Sequence, residues 1–295
     1  MCRLFALSGG ATAVKATFWL LDARDSLAVQ SRREPDGTGI GWFDADGEPH
    51  IDKRPVAAHK DRRFAEEAHD LCSPTYVAHI RFASTGDLSV KNTHPFQQDG
   101  RLFAHNGVLG DLDALDRELG DARSLVQGDT DSERFFALIT KHARANGGDA
   151  AAALVAASSW ASKHLPLYAL NVIVATATDL YALRYPDTHG LYVLEREAGG
   201  PSGARHLEHA SAAGTVRVRA STLLRRPAVV LASEPMDDDP GWRPLRSGEL
   251  LHVDRALRVT SKIALPDPPA RPLTLADLDT RAAASQDSQP PPAAR

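Results

Sequence analysis

The sequence predicts an α+β layered domain rather than a doubly wound sheet. Strand-like runs lie on both sides of one central helical block, and no G-x-G-x-x-G or P-loop pattern opens a helix. The chain of 295 residues, 43% hydrophobic and 24% charged, is long enough to bury a sizeable core.

The elements follow in order. "RLFALS" (3–8) reads as a short strand stopped by Gly9-Gly10, and a helix-like stretch follows at "AVKATFWLLDA". "EPDGTGIGWFDADGEPHI" gives a turn, a strand and a hairpin turning at Asp46-Gly47. "TYVAHIRFAS" (75–84) and "RLFAHNGVL" (101–109) are apolar strands that end in polar clusters. Helices are expected at 110–119, 131–146 and 149–163, the last rich in alanine. "LYALNVIVATATDLYALRY" (167–185) is a hairpin turning near Thr178-Asp179, with further strands at 190–195, 214–219, 227–233 and 249–254. The folded domain is expected over 2–262. The Pro/Ala-rich remainder, 263–295, has few large apolar residues to offset its ordering entropy and is expected to be a disordered tail.

The net charge of −4, with both signs interspersed, excludes a nucleic-acid surface. No apolar run approaches the roughly 18 residues of a membrane span, and no secretory signal pattern is present, so the expected location is the cytoplasm. Two cysteines, Cys2 and Cys72, are too few for a disulfide framework, and no Cys/His spacing matches a metal site. Neither a metal nor a cofactor is expected.

Cys2 poses the functional question. Removal of Met1 would leave the thiol and an α-amine of pKa about 8 on one residue, so nucleophile and base arrive together. Acyl transfer also needs an oxyanion hole. "AHNG" offers one, with the Asn106 carboxamide and the Gly107 backbone N–H as donors, although an isolated Asn-Gly pair is more often a turn. Arg81, in "HIRFASTG", could bind a substrate carboxylate, with Ser84 and Thr85 adding hydroxyls; Asp131, in "GDTDSE", could meet an ammonium group. Each has a structural reading as well: a surface arginine, or the cap and first turn of a helix.

Together, in this order and spacing, Cys2, R-F-A-S-T-G, H-N-G and T-D-S-E resemble the class II glutamine amidotransferases, which are N-terminal nucleophile (Ntn) hydrolases. The resemblance spans roughly residues 2–260. It implies an αββα four-layer sandwich with two antiparallel sheets. It also implies Cys2 as nucleophile, Asn106 and Gly107 as oxyanion donors, Arg81 on the α-carboxylate of glutamine and Asp131 on its α-ammonium, helped by Ser84 and Thr85. "RREPDGTGIGW" looks like the family's R-G-x-D-x-x-G-I element, which implies Arg33 near the glutamine pocket, with Glu34 in place of the usual glycine. "THPF", "AHNG" and "LASEPMDDDPGWRPL" are similar to the stand-alone subgroup that includes the γ-glutamyl amide hydrolase of ergothioneine biosynthesis.

The expected ligand is a small molecule, glutamine or a γ-glutamyl amide, and an ammonia-accepting enzyme would be a separate chain. The alternatives are a non-catalytic glutamine sensor, an ammonia-donating subunit, or another Ntn-type amide hydrolase. His94, in an unusual His-Pro pair, either lines the leaving-group side or is structural. His105 should face away from Asn106 as a packed core residue, and Cys72 is expected as apolar filler at a helix end.

Overall fold

The computed structural model describes residues 2–198, 208–210, 217–219 and 226–286. In chain order the first elements are β1 (Arg3–Ser8), α1 (Leu27–Gln30), β2 (Gly37–Phe43), β3 (Pro49–Arg54), α2 (Arg62–Asp70), β4 (Thr75–Arg81), β5 (Phe96–Gln98) and β6 (Arg101–Leu109). The helical block follows as α3 (Leu112–Leu119), α4 (Asp131–Ala145) and α5 (Ala150–His164). The remaining strands are β7 (Pro166–Ala175), β8 (Leu180–Arg184), β9 (Tyr192–Arg196), β10 (Glu208–Ala210), β11 (Arg217–Arg219), β12 (Ala228–Ala232), β13 (Arg243–Pro244), β14 (Glu249–Val253), β15 (Val259–Ile263) and β16 (Arg271–Pro272). The last element is the short helix α6 (Thr280–Gln286).

Two sheets form. The first runs β13-β9-β12-β1-β4-β2-β3 and the second β15-β14-β8-β7-β6-β5, with antiparallel pairing in both; β16 alone runs parallel, beside Pro166 and Leu167 of β7. The small β10-β11 pair stands apart from both sheets.

Side-chain alternation assigns the faces. On β1, Leu4 and Ala6 point into a cluster shared with Leu102 and Ala104 of β6 and Ile173 and Ala175 of β7, which is the seam between the sheets. Phe5 and Leu7 point the other way, toward Trp19, Leu27 and Phe64. On β6, Phe103 and Leu109 face the α3–α5 layer, where Phe135, Phe136 and Leu154 are buried. The result is helix, sheet, sheet, helix: the expected αββα sandwich.

The helical block forms where the sequence places it, and its starts are capped. The Thr130 side chain accepts from Glu133 N at the head of α4, and Asp149 accepts from Ala152 N at the head of α5. No helix among the described residues is long and apolar enough to cross a membrane.

Three expectations are corrected. The helix expected at 13–23 is one turn, Phe18–Asp22, because Val14 is held extended by its bridge to Ser73. Cys72 is exposed rather than packed. The predicted tail is ordered as far as Gln286: its few apolar groups need no core of their own, because Leu273 and Leu278 settle on Val108, Tyr168 and Ala169. Ala270 N donates to Ser162 O and Leu273 N to Leu167 O, and prolines at 266, 268, 269 and 272 restrict the unfolded chain. Of the strand expected at 214–219, residues 217–219 are β11, and 214–216 lie outside the described residues.

Glycines on β2 make room for a site segment. Gly37, Gly39 and Gly41 share one face, and a Cβ on Gly39 would overlap the carbonyl oxygen of His94, while one on Gly41 would press on Pro95 and Leu102. Replacing Gly39 by alanine should therefore lower stability by about 1–3 kcal/mol, measured as a shift in the urea midpoint at unchanged slope.

Candidate active site

Cys2 sits just before β1, whose Arg3 pairs with Ile80 of β4, so its thiol meets the outgoing end of β4. The Sγ receives the Phe82 N–H and can donate to the Phe82 carbonyl, both at 3.3 Å. Burial pushes the thiol pKa up, opposed by the Phe82 N–H and, more weakly, by the Arg81 charge.

A small cavity of about 20 Å³ joins Cys2 and Phe82 to Arg81, Ser84 and Thr85 of the following loop, to His94, to His105 and Gly107 of β6, and to Thr130, Asp131 and Ser132 at the head of α4. That volume holds about one water. A larger hollow of about 430 Å³, between Lys53, Lys91, Phe96, Gln98 and Glu133, contains none of these groups.

The polar walls are tightly anchored. Arg81 is buried and its guanidinium donates to Thr85 O at 2.7 Å and Asp87 O at 2.9 Å, folding the loop back over the strand end. Asp36 fixes the same turn by accepting from Ala83 N at 2.9 Å. Asp131 is 2% exposed; one oxygen accepts from Leu109 N at 2.9 Å, the other from Ser132 N at 2.9 Å and Thr85 Oγ1 at 3.4 Å. It thus ties the helical layer to β6 and to the loop after β4.

Asn106 lies on the inter-sheet face of β6, opposite Asn171 of β7. It is buried, and neither of its carboxamide atoms has a hydrogen-bond partner. Asn171, by contrast, is fully engaged: Nδ2 donates to His189 O and Gly190 O, and Oδ1 accepts from Tyr185 N. At Gly107 any Cβ would overlap the Ala169 carbonyl, so glycine is obligatory. His105 is buried on the opposite face, as expected, with Nδ1 at 2.9 Å from Ser132 Oγ and its ring near Phe135.

Of the residues expected at the site, Cys2, Arg81, Ser84, Thr85, His94, Gly107 and Asp131 meet at the cavity. Asn106 stands beside it, one residue from Gly107 on the inter-sheet face. Arg33 is not brought there: its guanidinium faces Asp25 at 3.3 Å and Glu234 at 3.7 Å. The reason is Glu34, which is buried, faces Arg3 at 3.5 Å and belongs to the same charged cluster, completed by the Arg3–Glu234 pair at 2.9 Å. Sequence reasoning did not find this cluster. Its one visible trace was the acidic residue in place of the glycine.

His94 forms a cis peptide with Pro95 and packs against His79, ring centroids 4.2 Å apart and planes tilted by 34°. Both imidazoles are buried and neither has a hydrogen-bond partner on its ring nitrogens. Burial lowers the His79 pKa to about 3 and puts that of His94 well below the usual value, so both are neutral at pH 7.

The comparisons with known proteins agree with this geometry. The family model of the class II glutamine amidotransferases matches residues 1–270, and the chain belongs to that family. A gamma-glutamyl-hercynylcysteine sulfoxide hydrolase of Mycobacterium tuberculosis is 30% identical over 86% of this chain and 93% of its own. A putative glutamine amidotransferase, YafJ of Escherichia coli, is 27% identical over 72% and 83%. The solved glutamine aminotransferase class-II domain protein of Silicibacter pomeroyi has a TM-score of 0.58 at 22% identity, covering 88% of this chain and 98% of that one. The protein is therefore an enzyme of the amidotransferase and amidohydrolase class.

The buried histidine pair makes stability depend on pH. The unfolded chain binds protons at these residues near pH 6.5, and the folded chain does so only far lower, so stability is full above about 6.5 and falls as pH drops toward 3. From pH 7 to 5 each should cost up to ~2 kcal/mol. Urea titrations at those two pH values should show a smaller loss for His79→Leu than for the parent protein.

Proposed function

We propose that the protein hydrolyses a γ-glutamyl amide through a γ-glutamyl thioester on Cys2. The observation that carries this reading is the meeting of a buried thiol, a guanidinium and a carboxylate around one cavity, beside an unpartnered carboxamide. Amide hydrolysis in general follows from the family and from the hydrolase relative; the thioester and the residue roles are our reading.

In this reading, Met1 is removed and the α-amine of Cys2 takes the thiol proton. The sulfur attacks the substrate Cδ, and the carbonyl oxygen, now negative, accepts from Asn106 Nδ2 and Gly107 N. The tetrahedral intermediate collapses, the C–N bond breaks, and the α-ammonium returns the proton to the departing amine. Water then adds to the thioester with the same amine as base, the C–S bond breaks, the α-ammonium returns the proton to the Cys2 sulfur, and glutamate is released. Arg81 holds the α-carboxylate and Asp131 the α-ammonium, with Ser84 and Thr85 beside them and His94 on the cavity wall.

Two features of the site support the assignment. The free carboxamide of Asn106 is a buried donor with no structural partner, an arrangement that costs stability unless function uses it. The raised thiol pKa means that the resting sulfur is protonated and needs a base next to it, which an amino-terminal α-amine supplies.

The reading is tested by intact-mass spectrometry with 6-diazo-5-oxo-norleucine. Loss of Met1 and a single adduct, mapped to Cys2, is the expected result; retained Met1, or a processed Cys2 that takes no adduct, overturns it. Asn106→Ala should lower kcat for glutamine by about 10²–10³ with little change in KM, measured by glutamate release.

A further inference from the structure

The hollow of about 430 Å³ lies across a thin wall from the small cavity. His94 lines the cavity and Phe96 the hollow, with their ring centroids 4.6 Å apart, and the first turn of α4 gives Asp131 to the one and Glu133 to the other. The volume falls within the roughly 300–1,000 Å³ of small-molecule pockets. The proposed reaction uses none of the groups around it.

Most of its polar groups are already engaged. Lys91 pairs with Asp129 at 2.8 Å, Asp99 is held by two nitrogens of Arg144 at 2.7 and 2.8 Å, and Glu133 accepts from Gly128 N at 2.6 Å. Lys53, on β3, differs. Its ammonium stands 4.6 Å from the centre of the Phe96 ring and has no hydrogen bond or ion pair among the described residues. Burial pulls its pKa down to about 8, with the Glu133 charge opposing. Gln98, which also lines the hollow, is buried, and neither atom of its carboxamide has a partner. An ammonium and a carboxamide withdrawn from water without partners cost stability until something binds them. Ile51, Val90 and Leu125 add apolar surface to the same walls.

We propose that this hollow is a second small-molecule site, separate from the catalytic cavity, and that it takes a monocarboxylate with an apolar body. Lys53 binds the carboxylate, with the Gln98 carboxamide as a spare donor, and Ile51, Val90 and Leu125 cover the body. A single negative charge is what the site matches. A phosphate dianion would also meet Asp99 and Glu133, with only one free ammonium to offset it, and a neutral ligand would leave that ammonium without a counter-charge. The proposal does not rest on the hydrolase reading.

Calorimetric titration of the full chain at pH 7 compares benzoate with benzamide, which keeps the shape and lacks the charge. Benzoate should bind at one site per chain, about tenfold or more tighter than benzamide and tighter than inorganic phosphate. Lys53→Gln should bring benzoate down to the benzamide level, and Lys53→Arg should restore most of the difference, with thermal unfolding showing that both variants are folded. Benzoate should also slow acetylation of Lys53 by acetic anhydride, mapped by peptide mass, and leave the exposed Lys60 unaffected. Absence of benzoate binding, equal binding of benzamide or phosphate, binding that survives Lys53→Gln, an arginine variant no better than the glutamine one, or binding that leaves Lys53 unprotected overturns the proposal.

Discussion

The site depends on one contact, the pair of hydrogen bonds between the Cys2 sulfur and the backbone of Phe82. They exist because β1 lies in the middle of its sheet, between β12 and β4, and its antiparallel register with β4 sets Cys2 beside the residue that follows β4. Period-two alternation then puts Cys2, Leu4 and Ala6 on the seam, with the three residues of increasing distance from the site changing from reactive to purely apolar. The thiol is held by backbone, not by side chains that could turn away. Moving β1 by one residue would present Arg3 to the seam and send the sulfur to the outer helical layer.

From that contact the rest of the wall follows by linked constraints. Arg81 precedes Phe82, and its two carbonyl partners fold the next loop over the strand end. Thr85 of that loop meets Asp131, and Asp131 holds Leu109 beyond the Asn106–Gly107 pair. Both sheets and the helical layer are thereby fastened to one another through a single carboxylate. On the other flank, the glycine face of β2 lets the His94–Pro95 segment lie close against the sheet, which brings the His94 ring to the cavity.

Much of this was legible in the sequence because it is local. Strand alternation, the Thr130 cap and the hairpin at Thr178-Asp179 are set by neighbours in the chain, and the structure forms them with ends within a few residues of expectation. Cys2, Arg81, Gly107 and Asp131 could be placed together only through the family's motif order, since no local rule joins residues 2 and 131. What stayed hidden was tertiary. Arg33 is diverted by Asp25 and Glu234, partners that sequence spacing does not announce. The tail was misjudged by composition, which counts apolar residues but not the ready-made surface on which Leu273 and Leu278 settle.

The contrast between Asn106 and Asp131 shows how the site divides stability from chemistry. Asp131 has every oxygen engaged by backbone N–H groups or hydroxyls, so under the proposed mechanism a substrate ammonium would join an acceptor that is already fixed in place. Asn106 is buried with nothing bonded, facing Asn171, which spends the same carboxamide on three backbone groups. Two identical side chains sit opposite each other on adjacent strands, and only one serves the fold. A buried amide left without partners costs roughly 1–3 kcal/mol, which the proposed mechanism would offset when negative charge forms beside it. Under the proposed mechanism the donor is preorganised at the expense of the resting protein, and its stabilisation is directed at the state that bears the oxyanion.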